Sequence, residues 1–341
     1  MRRLPVVVLS LLTAAAAAPG AVAAEAPATA GPATPAAAPA AAPAAKPYLT
    51  LQQLRDKYQD RKHGRLATIG GVEVYHKDEG KGPVVVLIHG SQSTLRTWDY
   101  VAPVLVKRGY RVIRLDMPPL GLSGSVSDEA ARKLTPATFV AGLLDHLGVD
   151  RFSCVGVSSG GTTCMYLAST FPARVERLVM SNSPSDPVEN AKLTPTPEFE
   201  AAQKEARETG FQSARFWNAF LDFFSGDPRR LDAGIREQYY DINRRTPERN
   251  YTALTGLVRD HDKTLAAMAN VRCPTLLIWG ARDQLLPPPA ADTLAGYLRN
   301  TQVSKIFLPD VGHYPPLEVP ARFAQLTLDF LQVVAPPDAL R

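Results

Sequence analysis

Cysteine is scarce in this chain, three in 341 residues, and an odd number cannot make a fully paired disulfide framework. Cys154 and Cys273 fall in or beside expected core strands, where a free thiol packs as a small apolar side chain. All three cysteines, Cys164 included, are therefore expected to be unpaired structural thiols. No cluster has metal-ligand spacing, so no metal is expected. Basic runs interleaved with aromatics are also missing. The formal charge of +5 falls to +3 once Arg2 and Arg3 are discounted, too little and too scattered for a nucleic-acid partner. Beyond the first two dozen residues no apolar run approaches the length of a membrane span.

What is present begins with an export pattern. Residues 1–24 pass from Arg2-Arg3 through an apolar stretch to Pro19-Gly20 and Ala21-Val22-Ala23-Ala24, the three parts of a cleaved signal. A secreted or periplasmic location is the expectation, with no stable membrane span after cleavage. Residues 25–47 are almost wholly Ala, Pro, Thr and Gly. With so little apolar bulk they read as an extended linker. Order is expected from Thr50-Leu51-Gln52-Gln53, a capping box opening a short helix with Leu51, Leu54 and Tyr58 on one side.

From there the chain alternates. Strand signals at 66–69, 72–76, 84–88, 111–115, 175–181, 274–279 and 302–308, with one more leading to residue 157, are separated by helical stretches at 97–108, 136–147, 162–170 and 290–299. A last helix spans 321–333. Continuous apolar strands between amphipathic helices indicate an α/β fold, a mostly parallel central sheet with helices on both faces. Residues 183–271 break the rhythm, with helical patterns and no good strand. Ten of the chain's 26 aromatic residues lie between Phe199 and Tyr251, and Phe216, Phe220 and Phe224 recur at helical spacing. These aromatics hold a helical cap together or line an apolar pocket over the strand ends, where open α/β sheets bind ligands. The expected organisation is a core of 48–182 and 272–335 interrupted by a cap at 183–271.

The stretch with most chemistry is Gly156-Val157-Ser158-Ser159-Gly160-Gly161. A serine between glycines on a sharp strand-to-helix turn is a nucleophile elbow. Gly-x-Ser-x-Gly arises by chance in roughly one chain of this length in ten, so its weight comes from the rest. A serine hydroxyl needs a base, and the base an orienting acid. Of six histidines, His63, His76, His146 and His261 read as structural or solvated, and His89 as a loop-shaping residue. His313 follows Leu308-Pro309-Asp310-Val311-Gly312 just past the last strand, at the edge where a base can reach Ser158. Asp283, in the turn after the strand ending at Trp279, is the expected acid; Asp186, after the preceding strand, is the runner-up, with Asp310 behind it. The backbone N–H groups of Ser91 and Ser159 are the expected oxyanion donors.

Leu87-Ile88-His89-Gly90-Ser91, with Trp98 downstream, resembles the His-Gly oxyanion segment of α/β-hydrolases. The elbow resembles theirs, and Trp279-Gly280-Ala281-Arg282-Asp283 with Pro287 resembles their acid turn. Gly312-His313-Tyr314-Pro315-Pro316-Leu317-Glu318-Val319-Pro320 is similar to their histidine segment. The order Ser, Asp, His agrees with that superfamily. One departure stands in Asp116-Met117-Pro118-Pro119-Leu120-Gly121-Leu122-Ser123, where Pro119 replaces the glycine usual in the family and should redirect the loop. The resemblance implies an exported, cofactor-free serine hydrolase of the esterase-like branch, cleaving a small, largely apolar acyl substrate through an acyl-enzyme. The same triad also serves carbon–carbon bond hydrolases acting on vinylogous diketones and cofactor-free haloperoxidases or perhydrolases. The fold further serves receptor-like proteins with little turnover. Dehalogenase and epoxide-hydrolase chemistry is disfavoured, because those relatives carry Asp where this chain has Ser158.

Overall fold

Gly70 and Gly71 both take positive φ (55° and 81°), the left-handed pair that a two-residue hairpin requires. Strand β1 (Gly64–Ile69) therefore returns directly as β2 (Val72–Glu79), with Ile69 opposite Val72. This hairpin forms one edge of an eight-stranded sheet in a computed structural model that describes residues 47–188 and 191–332. The expected signal at 1–24 and all but the end of the linker at 25–47 lie outside the described residues. Helix α1 (Leu51–Tyr58) precedes the hairpin. Its capping box forms as the sequence predicts, Thr50 Oγ1 accepting from Gln53 N and Gln53 Oε1 from Thr50 N.

The remaining strands are β3 (Val84–Ile88), β4 (Arg111–Leu115), β5 (Phe152–Val157), β6 (Val175–Ser181), β7 (Thr275–Gly280) and β8 (Val303–Leu308). Their spatial order is β1-β2-β4-β3-β5-β6-β7-β8; only β2 runs antiparallel to its neighbours. Between β3 and β4 the stretch expected as one helix is a 3₁₀ turn (Leu95–Trp98) followed by α2 (Ala102–Lys107). Helices α3 (Asp128–Lys133) and α4 (Pro136–His146) lead to β5, and α5 (Ser159–Thr170) follows it. After β6 come α6 (Pro197–Thr209), α7 (Ala214–Phe224), α8 (Ala233–Asn243) and α9 (His261–Met268). Helix α10 (Pro288–Tyr297) joins β7 to β8, and α11 (Pro315–Glu318) and α12 (Pro320–Gln332) follow β8.

Side-chain alternation along β3 shows how the sheet is covered. Val86 and Ile88 join the core built with α4 and α5, while Val85 and Leu87 join the one built with α2 and α12. A strand covered on both faces must be apolar at every position, which is why β3 and β5 carry continuous apolar runs. β3 pairs with β4 on one side and β5 on the other. The chain thus reverses direction across the sheet there, and the loops after β3 and β5 open the crevice where such sheets hold ligands.

The cysteines correct an expectation. Cys154 and Cys164 form a disulfide, with Cα atoms 5.6 Å apart, and Cys273 alone stays a free, buried thiol. The elbow explains the pairing: α5 folds back along β5, so residues on either side of Ser158 meet across the strand–helix interface. Pro118 and Pro119 are joined by a cis peptide bond. The carbonyls of Pro119, Gly121 and Ser123 all accept from the buried Arg245 Nη1, at 2.6, 3.2 and 2.7 Å.

Candidate active site

Ser158 stands at φ 54°, ψ −130°, a conformation that non-glycine residues adopt only under constraint. The surroundings supply that constraint. A β-carbon at Gly156 would lie 2.4 Å from the backbone of Gly160, and one at Gly160 would lie 2.2 Å from the carbonyl oxygen of Ile88. Only glycine lets α5 start so close to β5 and β3. Ser158 N–H donates to Ser181 O across the sheet at 2.9 Å, holding the turn from below.

His313 and Asp283 come together from the loops after β8 and β7. The Nδ1 of His313 lies 2.7 Å from Asp283 Oδ2, and both residues are 3 % exposed. The same Oδ2 accepts from Asn182 Nδ2 at 2.7 Å, while Oδ1 accepts from the backbone N–H groups of Leu285 and Leu286. Four donors around one buried carboxylate fix its orientation. This leaves His313 Nδ1–H as the donor to Asp283, so Nε2 is the ring nitrogen available to the serine. The His313 N–H donates to Phe224 O at 2.7 Å. Glu318 ties the loop further: its carboxylate accepts from Gly312, Gly226 and Asp227 N–H, and burial raises its pKa.

Neither alternative acid reaches the imidazole. Asp186 lies 2.7 Å from His261 Nδ1, and Asp310 pairs with Arg230 and Arg322. His89 shapes its loop as expected, its Nδ1 bonding Gly90 O and its Nε2 accepting from Met117 N. Burial pushes its imidazole down to about 4.

Ser91 and Ser159 face one another, their hydroxyls 2.9 Å apart. The Ser91 N–H makes no hydrogen bond to the described backbone, and the Ser159 N–H opens α5, where the first amides have no intrahelical partner. A β-carbon at Gly90 would come within 2.9 Å of Ser158 Cβ, so the loop after β3 presses directly on the elbow.

Ser158, His313, Ser91 and Ser159 open into one cavity of about 80 Å³. Its far wall comes from the helices after β6: Phe199 of α6, and Phe216, Trp217, Phe220 and Phe224 of α7. The aromatics at helical spacing thus do both jobs, packing on one another and facing the serine. The polar contributors to the wall include Gln92, Gln203, Gln212 and Tyr314, and among the described residues no lysine or arginine lines it. Asn182, at φ 43°, acts on Asp283 about a hundred residues along the chain, and no local pattern marks it. Glu318 lies within the histidine segment of the sequence, but its hold on Gly226 and Asp227 is not legible there.

The family model of the alpha/beta hydrolase fold matches residues 83–320. A 2-hydroxy-6-oxononadienedioate/2-hydroxy-6-oxononatrienedioate hydrolase of Paraburkholderia phymatum is 28% identical over 271 residues, covering 77% of this chain and 92% of the relative. Among solved structures, the enol-lactonase of Burkholderia xenovorans LB400 superposes with a TM-score of 0.63 at 21% identity, over 79% of this chain and all of that one. A meta-cleavage product hydrolase of Pseudomonas fluorescens gives 0.61 at 22% identity, over 80% and 98%. With its mostly parallel sheet, its serine elbow and a family match that runs from β3 to the start of α12, the chain belongs to the α/β-hydrolase superfamily and is a hydrolase.

Proposed function

We propose that Ser158, His313 and Asp283 form a catalytic triad that hydrolyses a carbon–carbon bond beside a ketone carbonyl, through an acyl-enzyme. The observation that carries this reading is the convergence of the serine elbow and the buried His313–Asp283 pair on one apolar cavity. The likeness to a hydrolase of an oxo-dienedioate supports the choice of bond. His313 Nε2 takes the Ser158 proton as Oγ attacks the carbonyl carbon, and the oxyanion lies between the N–H groups of Ser91 and Ser159. Collapse breaks the carbon–carbon bond. The electron pair leaves onto a carbon conjugated to a second carbonyl, and the His313 imidazolium protonates it. Water, deprotonated by His313, then hydrolyses the acyl-enzyme, releasing a carboxylic acid and restoring the serine. Asp283 holds the imidazole in one tautomer and stabilises its charged form.

The cavity argues for a different substrate from the relative's. A dienedioate carries two carboxylates, and no lysine or arginine among the described residues lines this site, so burying such a dianion against them would be costly. An uncharged vinylogous diketone fits better. The same apolar lining supports a second reading, hydrolysis of a carboxylic ester or lactone on the same triad.

The test is a comparison of kcat/KM on an uncharged aryl-substituted vinylogous 1,5-diketone and on a panel of nitrophenyl esters of graded acyl length. Preference for the diketone supports the first reading; turnover of esters alone supports the second. Ser158→Ala should lower kcat on either by a factor on the order of 10⁶. A variant that keeps most of its activity sinks both. The Cys154–Cys164 disulfide supports an oxidising location. Together with the signal pattern it favours export, which cell fractionation would check.

A further inference from the structure

Gln92 follows the proposed oxyanion residue Ser91 and holds a backbone conformation that disfavours it. Its φ is 60°, a left-handed value at which glycine or asparagine would sit more easily. Asn243 Nδ2 donates to its carbonyl at 2.9 Å, pinning that backbone to α8. The side chain is 7 % exposed and lines the cavity at Ser158. It also lines a larger cleft of about 300 Å³ between α1 and α8, so it forms the partition between the two spaces. The Tyr251 hydroxyl donates to its Oε1 at 2.8 Å, while its Nε2 has no hydrogen-bond partner among the described residues. With Oε1 engaged by Tyr251, the amide group is oriented and its N–H₂ is the unsatisfied end. A buried donor left unpaired is costly, and here it coincides with a disfavoured backbone conformation one residue from the oxyanion loop.

We infer that the Gln92 amide is a specificity-determining donor of this site, donating its Nε2–H to an uncharged oxygen of the substrate, a ketone or a lactone or ether oxygen, beyond the bond that is cleaved. Tyr251 is a positioning residue that holds the amide for this contact. An amide suits a neutral acceptor, and among the described residues the cavity wall offers no lysine or arginine for a charged one. The inference rests on the serine-hydrolase reading of the cavity and deepens it by naming what the substrate carries.

The test measures kcat/KM of the purified protein on nitrophenyl 4-oxopentanoate and 5-oxohexanoate. Each is set against the ester with CH₂ in place of the ketone, pentanoate or hexanoate. The native chain should favour at least one oxo ester over its methylene match by roughly tenfold to a hundredfold. In Gln92→Leu that ratio should fall to about one, and in Tyr251→Phe it should fall part of the way. Should Gln92→Leu fail to fold, Gln92→Asn keeps an amide in a residue that tolerates positive φ but withdraws it by one methylene, and the ratio should fall there too. Oxo-to-methylene ratios that no substitution changes, in a protein that turns over the esters and is labelled at Ser158 by a fluorophosphonate, would overturn the role of Gln92 alone. No turnover and no label would instead remove the serine-hydrolase reading, and this inference with it.

Discussion

Asp116 and His89 meet at the amide of Met117 and titrate in opposite directions. His89 Nε2 accepts from Met117 N–H, while the Asp116 carboxylate accepts from Leu95 and Leu122 N–H, each at 2.7 Å. Burial pushes the Asp116 carboxyl up from 3.8 to about 6 and the His89 imidazole down from 6.5 to about 4. A raised acid gives stability that is full below its unfolded pKa and is lost as the pH rises through its folded one. A depressed histidine gives stability that is full above its unfolded pKa and is lost as the pH falls. Between pH 4 and 6 the two slopes oppose each other. Asp116→Asn removes only the acid's share, so relative to the native chain it should lose roughly 2 kcal/mol as the pH falls from 6.5 to 4. Denaturant unfolding across that range measures it, and a pH-independent difference would contradict the shift. At this scale the sequence was readable where a residue type has one chemical use. Ser158, His313 and Asp283 stand where motif and strand ends place them. Asn182 and Gln92 are ordinary amides in sequence; their roles come from contacts about a hundred residues away or more, to Asp283 in one case and to Asn243 and Tyr251 in the other.

Among elements, the β5–α5 junction is the most constrained. Its glycines permit the approach, and the Cys154–Cys164 disulfide fastens the strand to the helix across it. Closing a loop of this length restricts the unfolded chain by an amount worth about 3 kcal/mol. The double substitution of Cys154 and Cys164 by serine should therefore lower the unfolding free energy by about that amount or more, since both sulfurs are fully buried. Thermal melts compared with the native protein would show it, and an unchanged midpoint would mean the bridge adds nothing. Strands and their order of use were legible, because a strand covered on both faces has to be continuously apolar. The pairing of the cysteines was not. An odd count and two buried positions argue for free thiols, and only the fold-back of α5 brings the two sulfurs together. The region around residues 97–108 misled for a local reason: Pro103 allows a helix to start, but the chain first closes a 3₁₀ turn capped by Thr94.

Over the whole molecule, the helices after β6 are tied to the core by buried polar groups as well as by apolar packing. Arg245 holds three carbonyls of the 116–123 loop and pairs with Glu248. Leu49, near the first described residues, exchanges backbone hydrogen bonds with Arg244 and Thr246. Arg245→Ala strands those carbonyls and should cost roughly 2–4 kcal/mol, measured by denaturant unfolding. A loss within 0.5 kcal/mol would show that the loop holds itself. The aromatic spacing of α7 announced a helical layer, yet which rings face the serine depends on the tilt of that layer, which no local period encodes. Glu318 has one more consequence. Because its single carboxylate staples the end of α7 to the histidine loop, those two segments cannot separate without stranding an ionisable group away from water. The imidazole therefore stands on a wall of the reaction chamber that is fastened on both sides, to the loop after α7 and to its own loop.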